Sequence, residues 1–379
     1  MKLLNILFFC GLSLACSAQK TQNGTHPADL QDGIKTADPA SVGIKPAVLE
    51  QLTAKLKSDY YTNIHSVLIY KNGHLVYEAY LAGNDENWGE STGFTQHGIA
   101  DLHDLRSITK SVVSACVGIA VSRHEIKSVD QKVFEYFKEY AALDTGLKKD
   151  ITIRQILSMT AGFKWNEDVA YDNPQNSEIQ MTKAADPVKY ILSQPVITKP
   201  GTQWNYNGGT VQLLAYIIEK ATGKPLDEYA NEYLFTPLGI KSFFWHKLPN
   251  AKEPEAASGL RLRSRDALKF AILYQQNGEW QGKQILPETW IQQSFFKSAT
   301  ISPELGYGFL FWKLYPPAAY NVPDLTVAVG NGDERLFFDN KNKLIVLVTA
   351  GNYNLPSKYF GDKNSTAILR DFVYPSFVK

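Results

Sequence analysis

Two regions of β-type sequence stand at opposite ends of this chain, and a long helical stretch separates them. Near the start, "SVLIYKNGHLVYEAYL" places two β-rich runs around Asn72-Gly73. That dipeptide readily supplies the two positive φ angles of a tight hairpin. Near the end, "GYGFLFWKLY", "DLTVAVG", "ERLFFD" and "KLIVLVTAG" are further β runs between turn residues, followed by a predicted last helix near Asn364 to Phe377. From about 104 to 295 the pattern is mostly helical, with Leu157, Leu213, Leu214, Ile217 and Ile218 at helical spacings. Strands from both ends imply one antiparallel sheet closed by the N- and C-terminal segments, an α+β fold. The helical region is then an insertion packed against the sheet, with a cleft between the two.

The expected organisation is a signal peptide over 1–18, a linker over 19–40 and one domain over 41–379. Within that domain the sheet part covers about 41–103 and 300–379, and the helical part about 104–299. Lys2 precedes the apolar run "LLNILFFCGLSLA" and small residues follow, as in a secretory signal. Export to the periplasm or medium is therefore expected. Cleavage after Ala18 leaves Gln19 as the new terminus. Cys16 is the alternative, a lipid-attachment cysteine and the one expected route to membrane attachment, although Ser13 stands where such sites carry an aliphatic residue. Residues 19–40 are polar and rich in Gly, Pro, Thr and Asp. Cys116 lies in an apolar run and reads as a core residue, so no structural disulfide is expected.

The 379 residues carry 39 Lys and Arg against 38 Asp and Glu. A net charge of +1 gives no long-range field of either sign, which argues against nucleic acid or an anionic membrane surface as a partner. No apolar run after residue 20 reaches membrane-spanning length.

Chemistry enters at "LRSITKSVVSACVGIAV". Ser107 and Lys110 stand three residues apart where a polar half-turn becomes a buried helix, so they share one face at its positive end. Ser-x-x-Lys is common by chance: Ser17-Lys20, Ser294-Lys297 and Ser376-Lys379 have the same spacing. A capping serine beside a solvent-directed lysine is the plain reading of such a pair. Only Ser107 opens an apolar helix. A lysine buried there is expected to lose charge, leaving an amine base beside a nucleophile.

A second element, "KPGTQWNYNGGTVQLLAYIIEKATGKPLDEYANEYLFTPLGI", sets Tyr206 in a glycine-flanked corner before a long amphipathic helix. Together with "LRSITKS", "ITIRQILSMTAGFKW" and "GLRLRSRDALKFAILYQQNGEWQGKQILP", it makes residues 40 to 375 resemble the penicillin-recognising serine hydrolases, related to class C β-lactamases. The similarity is greatest to the branch of aminohexanoate-dimer hydrolases and esterases. The resemblance implies a β-lactamase/transpeptidase-like fold, Ser107 as acylated nucleophile, Lys110 as its proton acceptor and Tyr206 as a proton relay. It also implies a small-molecule or peptide-like ester or amide substrate, and no metal or organic cofactor.

Two departures from the family pattern stand out. Tyr206-Asn207-Gly208 replaces the usual Tyr-Ser-Asn, so Gly208 lacks the amide that would hold a substrate carbonyl. The third motif corresponds to "VGNGDERLFF", which has no cation at its start. A backbone N–H from Asn331, Gly332 or Asp333 would complete the oxyanion hole with that of Ser107. Adjacent Asp333 and Glu334 are expected at the rim, pointing to opposite faces of a strand. Tyr171, in the polar loop "NEDVAYDNPQNSE", is expected in a cleft wall. The seven histidines show no metal-ligand spacing, and no Gly-x-Ser-x-Gly elbow occurs. The expected function is an exported serine hydrolase working through an acyl-enzyme. The alternatives are a non-catalytic cleft-binding relative and an acyl-group transferase.

Overall fold

A computed structural model describes residues 24–355, 359 and 361–378; the expected signal peptide and Cys16 lie outside the described residues. The first hairpin joins Ile64–Lys71 to His74–Tyr80. Its two-residue turn has Asn72 at φ 50° and Gly73 at φ 87°, the paired left-handed geometry that matches strand twist.

The hairpin enters an eight-stranded sheet of antiparallel neighbours. In spatial order the strands are Ala299–Ser302, Leu305–Tyr307, Trp312–Leu314, Leu325–Gly330, Glu334–Asp339, Leu344–Ala350, Ile64–Lys71 and His74–Tyr80. N- and C-terminal segments meet where Val67 pairs with Val348 and Leu68 with Leu347.

Side chains alternate across this sheet, and both faces are covered. Leu68, Tyr70, Leu336, Phe338, Ile345 and Leu347 pack into the core shared with the Ile108–Ser122 helix. Val67, Ile69, Phe337, Val346 and Val348 face the Pro46–Lys57 helix and the C-terminal Ile368, Leu369 and Val373. Burial on two sides explains the unbroken apolar runs. The predicted last helix is present as three successive segments, Ser365–Ile368, Leu369–Val373 and Tyr374–Ser376. Cys116 is fully buried. Among the described residues no helix is long and apolar enough to cross a membrane.

Two expectations change. The part of the supposed linker that is described, from Gly24 onward, docks against the His74–Tyr80 edge strand. Gly24 N donates to Glu78 O at 3.0 Å and Leu75 N donates to Lys35 O at 2.8 Å. Arg265 Nη2 holds Ala28 O at 2.7 Å, and Ile34 is buried. Backbone groups on a sheet edge need partners, and this segment supplies them despite its polar composition.

The second change is inside the helical part. There Leu260–Leu262 pairs with His103–Asp104 on one side and Phe243–Trp245 on the other. This small sheet fixes the chain immediately before Ser107.

Candidate active site

Leu105 N donates to Leu260 O at 2.9 Å, and the chain then turns sharply through Arg106 at φ 46°. A left-handed backbone is strained for a side chain as large as arginine. Its guanidinium is held over the Tyr353 ring at 4.4 Å, near Asp104 Oδ2 at 3.3 Å, and paired with Glu86. Ser107 follows at the N-cap of the Ile108–Ser122 helix, and its side chain makes no capping bond. The hydroxyl instead accepts from Lys110 Nζ at 2.9 Å.

Lys110 is 1% exposed and also donates to Ala257 O at 2.8 Å. The ammonium was expected to be weakened by burial. Burial does push it down, but Tyr206, Glu178, Glu167 and Glu255 around it outweigh that effect and hold Lys110 above its ordinary value. Its proton is therefore bound tightly in the resting site. The carboxyls are raised as well. Glu178 is pushed up to about 8 by burial and by neighbouring Glu167, and Glu255 to about 7 by burial and Glu178.

Burial raises the Tyr206 phenol, and the neighbouring Lys110 and Ser107 pull it partly back down. Its ring lies over Lys110 Nζ at 4.9 Å and stacks on Trp312 at 5.9 Å, with Trp204 at 6.2 Å. Next to it, Asn207 caps the Gly208–Thr222 helix by accepting from Thr210 N at 2.9 Å. Gly208 matters through what fills its space. A Cβ there would lie 2.9 Å from Glu178 Oε2 and 3.1 Å from Glu167 Oε1. Two carboxyls crowd against this position. Gly208 N donates to Glu167 Oε1 at 2.5 Å.

Tyr171 is half-buried, and burial together with Glu178, Glu167 and Tyr206 raises its phenol. It therefore faces the same carboxyl cluster. Glu167 and Glu178 flank Tyr171 in the chain, the second of them in the Ser177–Lys183 helix that follows the loop.

The third motif is placed by Gly330, whose absent Cβ would meet Leu105 O at 2.7 Å and Arg106 Cβ at 3.3 Å. The strand end thus passes against the nucleophile turn. Beyond it the candidates diverge. The Asn331 amide is exchanged with Asn354, donating to its Oδ1 at 2.7 Å and accepting from its N at 2.9 Å. Gly332 has φ 102° and bridges to Asn352. Asp333 and Glu334 are not rim residues. Asp333, at φ 71°, is buried and accepts from Ser365 N and Oγ at 2.7 Å each, anchoring the C-terminal helix. Glu334 is fully buried, with Oε1 3.0 Å from His103 Nδ1. That histidine belongs to a cluster: His65, His97, His103 and Asp85 gather in space although their spacing in the chain gave no sign of it.

The Beta-lactamase family model matches residues 50–364, a span that holds Ser107, Lys110, Tyr206 and the carboxyl cluster. A Salmonella agona protein named as a D-alanyl-D-alanine carboxypeptidase is 24% identical over 245 residues, 62% of this chain and 56% of its own length. The chain therefore spans little more than half of that relative. A Bacillus anthracis structure named as a 6-aminohexanoate-dimer hydrolase superposes with a TM-score of 0.70 at 20% identity, covering 95% of this chain and 91% of that one. A family VIII carboxylesterase superposes with a TM-score of 0.65 at 16% identity, covering 90% and 98%. These likenesses establish the fold, and with the family match across most of its length the chain belongs to the Beta-lactamase family.

Proposed function

We propose that the protein is a serine hydrolase that cleaves an ester or amide bond through an acyl-enzyme on Ser107. The observation that carries this reading is the buried Lys110 ammonium 2.9 Å from Ser107 Oγ, with the Tyr206 ring 4.9 Å from Lys110 Nζ. Ser107 attacks the substrate carbonyl, and its proton passes to the Lys110–Tyr206 pair. The backbone N–H of Ser107, with one from the segment after Gly330, stabilises the oxyanion. Tyr206 protonates the departing alcohol or amine, and water then releases the acid. Because Lys110 and Tyr206 are both held above their ordinary values, the reactive form is the fraction in which that pair has given up one proton. Activity should therefore rise as pH climbs toward the titration of the pair.

The substrate proposed is a short acyl ester or amide rather than a β-lactam. Gly208 offers no amide, and the third motif no cation, to grip a substrate side chain and carboxylate. Losing two such contacts weakens binding by about 2–4 kcal/mol. The purified protein should be labelled by a fluorophosphonate at Ser107 and hydrolyse p-nitrophenyl butyrate with a higher kcat/KM than nitrocefin. Ser107→Ala should lose both labelling and hydrolysis. Label on another serine, or no label on folded protein, would overturn the assignment. An added amine or alcohol acceptor in the same assay tells hydrolysis from acyl transfer.

Export is part of the proposal and rests on the apolar stretch behind Lys2. Mass spectrometry of protein made in its native cell should find Gln19 or an acylated Cys16 at the terminus. An intact Met1 would refute it.

A further inference from the structure

A second constellation of reactive side chains lies just upstream of the nucleophile turn. His65 comes from the Ile64–Lys71 strand, Asp85 from the Ala82–Asn87 strand, His103 from the strand leading to Ser107, and His97 from the loop before it. All four are buried, at 0%, 8%, 3% and 4% exposure respectively. We propose that His65 Nδ1, His97 Nε2, His103 Nε2 and one Asp85 carboxylate oxygen form a closed four-coordinate site for zinc.

The geometry suits that ion. One potential ligand atom from each residue lies within 4.8 Å of all the others. His65 Nδ1 and His103 Nε2 are 2.7 Å apart. Asp85 oxygens stand 3.9 Å from His65 Nδ1, 3.9 Å from His97 Nε2 and 3.8 Å from His103 Nε2. Tetrahedral bonds of about 2.0–2.1 Å set ligand atoms roughly 3.3 Å apart. The observed separations straddle that value.

The outer partners fit as well. A ligating imidazole presents one nitrogen to the metal and gives its other N–H to an acceptor, which fixes the tautomer. His103 Nδ1 is 3.0 Å from Asp104 O and 3.0 Å from Glu334 Oε1. His65 Nε2 is 3.3 Å from Asn63 Oδ1. Tyr353 Oη donates to Asp85 Oδ1 at 3.1 Å, orienting the carboxylate.

A plain hydrogen-bonded histidine pair accounts for His65 and His103 but not for His97. Its ring stacks on His65 at 4.0 Å, and its buried Nε2 has no hydrogen-bond partner. A buried imidazole nitrogen without a partner is costly in an apoprotein and is what a metal ligand looks like. Three imidazoles and one carboxylate select a borderline transition ion over magnesium or calcium, which prefer oxygen donors. Four protein ligands leave no open position, so the ion's role is structural. It would pin the Ala82–Asn87 and Ile64–Lys71 strands to the segment that delivers Ser107.

The test uses tag-free protein stripped with dipicolinate and refilled with zinc or cobalt. We expect one zinc per chain after gel filtration, the intense visible bands of four-coordinate cobalt, and a thermal midpoint raised by at least about 5 °C with zinc but not magnesium. His97→Ala should abolish the cobalt bands, while Ser107→Ala should bind zinc as the wild type does. Stripped wild-type protein that takes up neither ion, or binds cobalt only in a six-coordinate spectrum, overturns the site. Because that measurement needs no variant, it decides the matter even if His97→Ala fails to fold.

Discussion

Replacing Glu178 by glutamine tests the carboxyl cluster directly, because the substitution keeps shape and removes the titration. In the folded protein Glu178 is raised from 4.5 to about 8. Between those pH values the unfolded chain ionises while the folded chain resists. A group raised in this way contributes stability in full below its unfolded pKa, and that contribution is lost as pH climbs through the folded one. At about 1.36 kcal/mol per pH unit the displacement sets a ceiling near 5 kcal/mol. Relaxation around the charge and the nearby Lys110 ammonium reduce it to about 1–3 kcal/mol. Glu255, raised in part by Glu178, adds to the effect in the same direction. Urea unfolding at pH 5, 7 and 9 should therefore show Glu178→Gln gaining about 1–3 kcal/mol on the wild type between the first and last of these. A difference that does not change with pH would refute the reasoning. Ester hydrolysis by the same variant should match the wild type below pH 7. Above pH 8 it should exceed it, because the ionised Glu178 that holds the Lys110 proton is gone.

Two further substitutions bear on the site. Lys110→Arg and Lys110→Ala should each lose at least about a hundredfold in kcat/KM, since guanidinium gives up no proton near neutral pH; near-normal turnover by the arginine variant would remove Lys110 from the proton path. Gly208→Asn, which restores the usual amide, should destabilise by about 1–3 kcal/mol against the Glu178 and Glu167 carboxyls, and adding Glu178→Ala should recover part of that loss in a double-mutant cycle of unfolding.

What the sequence disclosed was local or periodic. The Asn72-Gly73 turn, the apolar helix opening at Ser107 and the corner at Tyr206 are each written in one short stretch, and the structure places all three in one scaffold. What it concealed depends on distant segments converging. Glu255 approaches Lys110 from a segment far along the chain, and no spacing announces it. Glu167 and Glu178 were in view as polar residues of a loop, but their burial against Gly208 comes from tertiary packing. Lys110 departs from expectation for the same reason: burial alone predicts a weakened ammonium, and the opposing carboxyls become visible only in space. Asp333 leaves the expected rim because its positive φ breaks regular strand alternation.

The seam in the sheet also governs how the chain can be made. Leu68 pairs with Leu347, about 280 residues later. At ribosomal rates of roughly 5–20 residues per second, the first hairpin waits on the order of tens of seconds for the strand that completes its sheet. During that time it displays an unpaired, largely apolar edge. Loop closure over such a length favours late, cooperative collapse, after the final strand has emerged. A product truncated before Leu344 would keep the nucleophile and every proposed zinc ligand, yet lack the strand against which the N-terminal hairpin must close.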